Sequence, residues 1–184
     1  MVVCQGIYKE KINMKKLFIV IMLCSLAFLS SCASPKATVT SITDMKESIS
    51  SEGIIVVSDV GKHLGPKFRM AFEGKLMELA GPHSKLLGIM PYMGFIRSPY
   101  NKPDVNDSFS NRLFVFVSTR GSSTYQYSVT SIDYLMEVKY LKKEPFLVQK
   151  IHLGTGTTYL SSDQQRGDEL ARAVFEELKN RKIL

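Results

Sequence analysis

The chain has 184 residues, of which 45% are hydrophobic and 22% are charged, and its formal net charge at pH 7 is +7. This length suits one domain with a sizeable core. The Lys and Arg residues are scattered along the sequence and form no basic stripe. That distribution argues against a nucleic-acid-binding surface and favours a mildly basic one.

The first predicted element is a secretory signal at residues 14–31. Met14 is followed by Lys15 and Lys16, and the 13 residues of 17–29 then form an apolar run. A membrane-spanning helix needs about 20 apolar residues, so this run is too short to cross a bilayer. A basic start, a short apolar run and small residues at its end are the layout of a secretory signal. We interpret residues 1–13 as an upstream extension, with Met14 as the working start.

The end of the apolar run, Leu29-Ser30-Ser31-Cys32, resembles the lipobox of bacterial lipoproteins. The resemblance implies a diacylglyceryl group on the Cys32 sulfur, cleavage between Ser31 and Cys32, and a further acyl chain such as palmitate on the new amino group. Ala33 follows the cysteine where an Asp would retain such proteins in the inner membrane. The resemblance therefore implies an outer-membrane anchor facing the periplasm, or a cell-membrane anchor in a host with one membrane. An uncleaved anchor and an ordinary signal peptide remain as alternatives.

Processing at this position would change the composition of the chain. The mature chain would have 153 residues, with 20 Lys and Arg against 16 Asp and Glu. Cys4 and Cys24 would be lost and Cys32 would carry lipid, so neither a disulfide nor a cysteine-based metal or nucleophile site is expected.

Residues 33–43 predict a flexible tether. They are rich in Ser, Thr and Ala and contain one Pro, a composition typical of a linker. We therefore assign residues 32–52 to the lipidated cysteine and its tether, and residues 53–184 to a single globular domain. Eleven extended residues span at most about 36 Å, which would hold this domain near the bilayer.

The domain begins with a predicted strand, helix and strand. Residues 54–57 form a β-branched run typical of a buried strand. Pro66 suits the first turn of a helix, and Gly81-Pro82 predicts the end of that helix. A second strand is predicted over 85–90. The predicted helix has an apolar face formed by Phe68, Phe72, Leu76 and Leu79.

A long segment without regular pattern follows at Pro91–Asn111. It contains three prolines and an Asn- and Ser-rich end, and loops of this length are often functional. Aromatic side chains in a loop tend either to pack into the core or to cover a ligand or partner. Both interpretations stay open, and the candidate partner-binding residues are Tyr92, Met93, Phe95, Tyr100 and Phe109.

The second half predicts an antiparallel meander and a final helix. A strand over 112–118, a turn over 121–124 and period-two alternation over 125–140 precede a polar connection at 142–145 and a strand over 146–153. Ser162 and Gln165 form a capping-box pattern, and an apolar stripe at Leu170, Ala171, Val174, Phe175 and Leu178 follows. The fold class predicted is α/β (α+β): a two-layer sandwich whose mixed sheet, with its antiparallel meander, is covered by two helices.

This order of elements over residues 53–184 resembles the small periplasmic α/β domains of other bacterial envelope lipoproteins. The resemblance rests on the layout of 54–57, the helix after Pro66, the strand at 113–117, the hairpin at 142–145 and the final helix. It implies a non-enzymatic component that binds or assembles with envelope proteins. The resemblance transfers no site residues.

Catalytic patterns are sparse. His63, His83 and His152 are the only histidines, and none belongs to a metal-binding motif. The glycine-rich segment 154–158 lacks the spacing of a phosphate-binding loop, so neither a cofactor nor a metal is expected. The predicted function is membrane-anchored binding of an envelope protein partner, with no nucleic acid. The alternative is an envelope hydrolase with a site near Asp59 and His63.

Overall fold

The computed structural model describes residues 34–43, 49, 51–81, 85–97, 111–126, 128–141, 143–155 and 161–184. The chain divides into two compact units, 1–33 and 34–184, and all described residues belong to the second. None of the helices among these residues is long and apolar enough to cross a membrane.

The described residues form one six-stranded mixed sheet with the order β1-β6-β5-β4-β2-β3. Strands β1, β6, β5 and β4 pair antiparallel, whereas β2 pairs parallel with both β4 and β3. The mixed sheet and the α/β class are therefore confirmed. The strands are β1 (Lys36–Thr43), β2 (Gly53–Asp59), β3 (Leu86–Pro91), β4 (Arg112–Tyr125), β5 (Ser128–Tyr140) and β6 (Leu147–Gly154).

The helices in the described part of the chain are α1 (Pro66–Ala80), α2 (Tyr92–Arg97) and α3 (Asp163–Asn180). Helices α1 and α3 pack on one face of the sheet and bury the main core with it. The short α2 lies against the opposite face, where Phe95 joins a smaller apolar cluster. We call this opposite face the open face.

Strand β4 shows how alternation builds both faces of the sheet. Successive strand side chains point to opposite faces. Leu113, Val115 and Val117 are fully buried in the main core, whereas Phe114 and Phe116 belong to the cluster beneath α2. A strand covered on both faces explains why residues 113–117 form an almost continuous apolar run.

Helices α1 and α3 approach closely because α3 carries glycine at the contact. A Cβ atom on Gly167 would lie 2.6 Å from Ala71 Cβ, 2.8 Å from the Phe68 carbonyl oxygen and 2.8 Å from the Phe72 nitrogen. Two of these neighbours are backbone atoms of α1, which have little freedom to move. The helix layer therefore depends on the absence of a side chain at this position.

The start of α3 is fixed by a capping box and a buried arginine. Ser162 Oγ accepts from the Gln165 N–H at 3.2 Å, and the Ser162 N–H donates to Gln165 Oε1 at 2.8 Å, as predicted. The buried Arg166 donates from Nε to Ser161 Oγ at 3.0 Å and also contacts the Thr155 carbonyl oxygen. Thr155 and Ser161 flank residues 156–160, so these bonds join the end of β6 to the start of α3.

The predicted flexible tether is wrong for most of its length. Residues 36–43 form β1, which pairs with β6 in the register Lys36–Gly154 to Ser41–Gln149. Val39 packs against the main core, and the Ala37 N–H donates to Glu169 Oε1 of α3 at 3.1 Å. The domain therefore starts at β1 and not at residue 53. A Thr- and Val-containing segment also has high strand propensity, and this outweighs its linker-like composition.

Two further predictions need correction. The turn predicted at 121–124 lies within β4, which continues to Tyr125 and turns at Gln126, a residue with φ of 46°. The segment predicted to be irregular, Pro91–Asn111, begins as the last residue of β3 and the helix α2. Residues 98–110 of that segment, as well as residues 1–33, lie outside the described residues.

Substitution of Gly167 by Ala is expected to lower the free energy of unfolding by about 1–3 kcal/mol, because the new methyl group overpacks the contact between the helices. Gly74 in α1 is the matched control, since nothing lies within 4 Å of a Cβ placed there. Gly74→Ala is expected to raise stability by about 0.5–1 kcal/mol through helix propensity. Urea unfolding measures both variants, and equal effects of the same sign would contradict this account of the contact.

Candidate functional site

The open face of the sheet is divided into two chemically different halves. Strands β2 and β4 carry apolar side chains that α2 covers. Strands β5 and β6 carry an ionic cluster formed by Asp133, Lys150 and His152. This face therefore contains an aromatic cluster that holds α2 and, separately, a charged surface.

Phe95 anchors α2 to the sheet. Its side chain is buried and lies edge-to-face with Phe114 and Phe116, at centroid distances of 5.5 and 5.2 Å. Ile55 and Val57 of β2 complete this cluster. Edge-to-face aromatic pairs contribute about 0.5–1.5 kcal/mol beyond the area that they bury. A six-residue helix, which is too short to be stable alone, is held in this way.

The outer side of α2 exposes apolar side chains to solvent. Tyr92 is 43% exposed, Met93 is 58% exposed and Ile96 is 43% exposed. We call these three residues the α2 patch. Single exposed apolar residues are common on protein surfaces, but three on one six-residue helix form a local concentration. Of the predicted binding residues, Tyr92 and Met93 therefore have exposed side chains, and Phe95 is buried and holds α2 to the sheet.

A cavity of about 370 Å³ adjoins the start of α2. It lies at the carboxyl ends of the parallel strands β2 and β3, the end of a sheet where α/β proteins commonly bind ligands. Its lining includes the charged residues Asp59, Lys62 and Arg69, together with Tyr92 and Met93 of the α2 patch. Ser58 also lines the cavity, and its Oγ donates to Glu73 Oε1 at 3.0 Å; Arg69 Nε lies 3.8 Å from the same oxygen.

A second cavity of about 280 Å³ shares Asp59 and Tyr92 with the first. Arg120 and Glu137 also line it, and their charged atoms lie 3.9 Å apart. His63 is exposed and lines neither cavity. The arrangement offers mixed charge and an aromatic ring, and no acid–histidine pair lines it. The hydrolase alternative at Asp59 and His63 stays a prediction.

A wider groove of about 690 Å³ runs between α1 and α3 on the outside of the helix layer. Its lining mixes Lys67 and Lys75 with Glu78, Asp163 and Asp168. Charges of both signs along an open groove are typical of a solvated helix surface. We therefore do not assign it a function.

The ionic cluster on the open face is assembled by strand register. Asp133 lies directly opposite His152 on β6. The Asp133 carboxylate is 2.8 Å from His152 Nδ1 and 3.0 Å from Lys150 Nζ. Partial burial by itself raises the pKa of Asp133, but the hydrogen bonds from His152 and Lys150 outweigh it and hold that pKa below its usual value.

Sequence reasoning missed this cluster because it considered histidines only with residues close to them in the chain. Asp133 and His152 are 19 residues apart and belong to no local motif. The signal that would have found them is the hairpin register: pairing β5 with β6 around the 142–145 connection places the two residues opposite each other. Among the described residues, no group of three or more His, Cys, Asp or Glu side chains is arranged to hold a metal ion.

Several of the predicted site residues lie outside the described part of the chain. These are Ser31 and Cys32 of the lipobox, and Tyr100 and Phe109 of the candidate binding loop. His83 also lies outside it. Their predicted roles stay predictions.

Comparisons with known proteins give no family. No protein-family model matches the sequence, and no match is found among curated proteins. Among solved structures, the chain is similar to a variant PelC dodecamer from Paraburkholderia phytofirmans, with 10% identity and a TM-score of 0.42 over 76% of this chain and 95% of that chain. A second PelC dodecamer from the same organism gives 12% identity and a TM-score of 0.38 over 79% and 96%. These values are too low to transfer function or residue roles to this chain.

Substitution Asp133→Asn is expected to lower stability at neutral pH by a few tenths to about 1 kcal/mol, the range for exposed ion pairs. Because the pKa of Asp133 is lowered in the folded state, its stabilising contribution is complete above the unfolded value of about 3.9. It is lost as the pH falls through the folded value. The difference between wild type and variant should therefore be largest above about pH 4 and shrink as the pH falls below it.

Urea midpoints of both proteins across this range measure the effect. Glu144→Gln is the control, since it removes an exposed carboxylate near β6 that has no part in the cluster. A gap between wild type and Asp133→Asn that stays constant down to the lowest pH would contradict this account of the ionic cluster.

Proposed function

We propose that this chain is a lipid-anchored protein of the bacterial envelope whose α/β domain binds a protein partner at the same membrane. The observation that carries the proposal is the Leu29-Ser30-Ser31-Cys32 sequence at the end of a short apolar run. The anchor would be stable, because two or more acyl chains hold a protein to a bilayer far more firmly than one. The proposed location is the periplasmic face of the outer membrane.

The α2 patch supports binding rather than catalysis. Binding surfaces place apolar side chains such as Tyr and Met on a rigid support, since a preordered surface loses less entropy on association. Phe95 supplies that support by fixing α2 to Phe114 and Phe116. The exposed side chains Tyr92, Met93 and Ile96 would then enter an apolar site on the partner.

The position of β1 supports a partner that lies close to the membrane. Because the folded domain begins at Lys36, only residues 33–35 separate it from the proposed lipid at Cys32. A domain held this closely meets partners that lie at the same membrane or that extend towards it. An envelope protein with an exposed apolar surface near the bilayer fits this geometry.

The anchor is tested by intact mass spectrometry of the membrane fraction. Wild type is expected to begin at Cys32 and to be heavier by a diacylglyceryl group and an amide-linked acyl chain. Cys32→Ala is expected to lose the lipid mass and to remain unprocessed, because the residue that accepts the lipid is absent. An unmodified wild-type chain that begins at Met1 or Met14 would refute the anchor.

The binding surface is tested by the double substitution Met93→Asp and Ile96→Asp in the lipidated protein. Charges within an apolar contact are expected to reduce crosslinked and co-purified envelope partner by about tenfold or more, as for central interface residues. Met77→Asp on α1 is the matched control, since Met77 is similarly exposed at 45% but lies on the helix layer. Unchanged capture with an unchanged unfolding midpoint would exclude the α2 patch, and an equal loss with Met77→Asp would show that the effect is not local.

A further inference from the structure

Strand register shows which end of the sheet receives the proposed lipid anchor. Lys36, the first residue of β1, lies opposite Gly154 at the end of β6, and Gly154 lies opposite Ser131 of β5. The chain segment that leads to Cys32 therefore enters the domain at this end. We call it the anchor end.

The hairpin of β4 and β5 extends beyond the rest of the sheet at the anchor end. Strand β5 continues past Ser131 to Ser128, which pairs with Tyr125 at the tip of β4. On β4, Tyr125 lies two residues beyond Ser123, which pairs with Ser131, so at about 3.3 Å per residue the tip projects about 7 Å beyond the level of Lys36. Tyr125 at this tip is 67% exposed, as much as Met70 on the surface of α1.

The length of the connecting chain brings this tip to the depth of the lipid. Only three residues separate Cys32 from Lys36, and the four residue steps between them span at most about 14 Å even when fully extended. The acyl-bearing sulfur of a lipoprotein lies in the headgroup region, which is about 6 Å thick on each side of a bilayer. A tip that projects about 7 Å comes within about 7 Å of the depth of the sulfur when the connecting chain is fully extended, and it enters the headgroup region when that chain is less extended.

The chemistry of the anchor end suits a membrane surface. Tyrosine is enriched where bilayers meet water, because its ring is apolar and its hydroxyl is polar. Lys36 is exposed at this end. Lys62 and Lys67 follow β2, whose last residue Asp59 pairs with Ser118, well back from the tip at Tyr125. A lysine at the position of Lys36 is attracted to anionic headgroups.

We infer that the tip of the β4–β5 hairpin, with Tyr125, rests in the headgroup region of the membrane and holds the sheet end-on to the bilayer. The inference rests on the proposed lipid anchor at Cys32. Its partner is a phospholipid surface, and the lipid chain supplies the attachment while the tip fixes the orientation. The competing arrangement is a domain lying on its exposed edge strand β1, which would bring Ile42 to the membrane instead.

Single cysteines introduced into the full chain distinguish these arrangements. In the lipidated protein the Cys32 sulfur is bound in a thioether, so a bimane label reacts only with the new thiol. Tyr125→Cys reports the hairpin tip, Ile42→Cys reports the far part of β1, and Glu144→Cys reports the opposite end of the sheet; all three wild-type side chains are exposed. The labelled proteins are reconstituted into phosphatidylethanolamine–phosphatidylglycerol vesicles that contain a nitroxide-bearing phospholipid.

The expected result is quenching by the nitroxide lipid that is several-fold stronger at position 125 than at positions 42 and 144. Equal quenching at 125 and 144 in vesicle-bound, lipidated protein would overturn the end-on orientation and leave the anchor intact. Stronger quenching at 42 than at 125 would overturn it in favour of the edge-on arrangement. Intact mass of each variant is measured first, and a missing acyl mass would refute the anchor and the inference together.

Discussion

The register of β4 is the constraint on which the rest of the domain depends. This strand pairs parallel with β2 through one edge and antiparallel with β5 through the other. It therefore joins the parallel half of the sheet to the antiparallel half. A shift of one residue would exchange the two faces of the strand. Phe114 and Phe116 would then point into the main core, and the aromatic cluster that holds α2 would be lost. The last residues of β4 also form the projecting hairpin. The packing of α2, the main core and the hairpin therefore all depend on the same strand register.

The two faces of the sheet are covered differently. The helix-covered face is closed by a contact that permits no side chain at Gly167 and by the bonds of Arg166 at the start of α3. Among the described residues, the open face carries the short α2, held by aromatic contacts, and the ionic cluster of Asp133, Lys150 and His152. The helix layer thus encloses the main core, and the open face carries the smaller aromatic cluster.

The inclusion of β1 in the sheet changes the relation that the proposed anchor would have to the domain. A flexible tether of eleven residues would let the domain move over about 36 Å. Because β1 begins at Lys36, only residues 33–35 lie between Cys32 and the sheet. The loss of freedom favours a fixed orientation over free diffusion around the anchor point. On this view the α2 patch, which lies on the side of the sheet, would face along the membrane surface, where a neighbouring envelope protein could reach it.

The sequence by itself determined the fold class, the positions of α1 and of α3 with its capping box, and the apolar strand at 113–117, because these depend on local periodicity and capping chemistry. It also indicated Tyr92, Met93 and Phe95 as candidate partner-binding residues. The tertiary structure alone decided that Phe95 is a buried anchor, that Asp133 meets His152, and that 36–43 is an edge strand. Each of these depends on pairing between residues distant in the chain. Local composition does not predict such pairing, because the stabilising free energy of the pair comes from contacts with the partner strand and not from the segment itself.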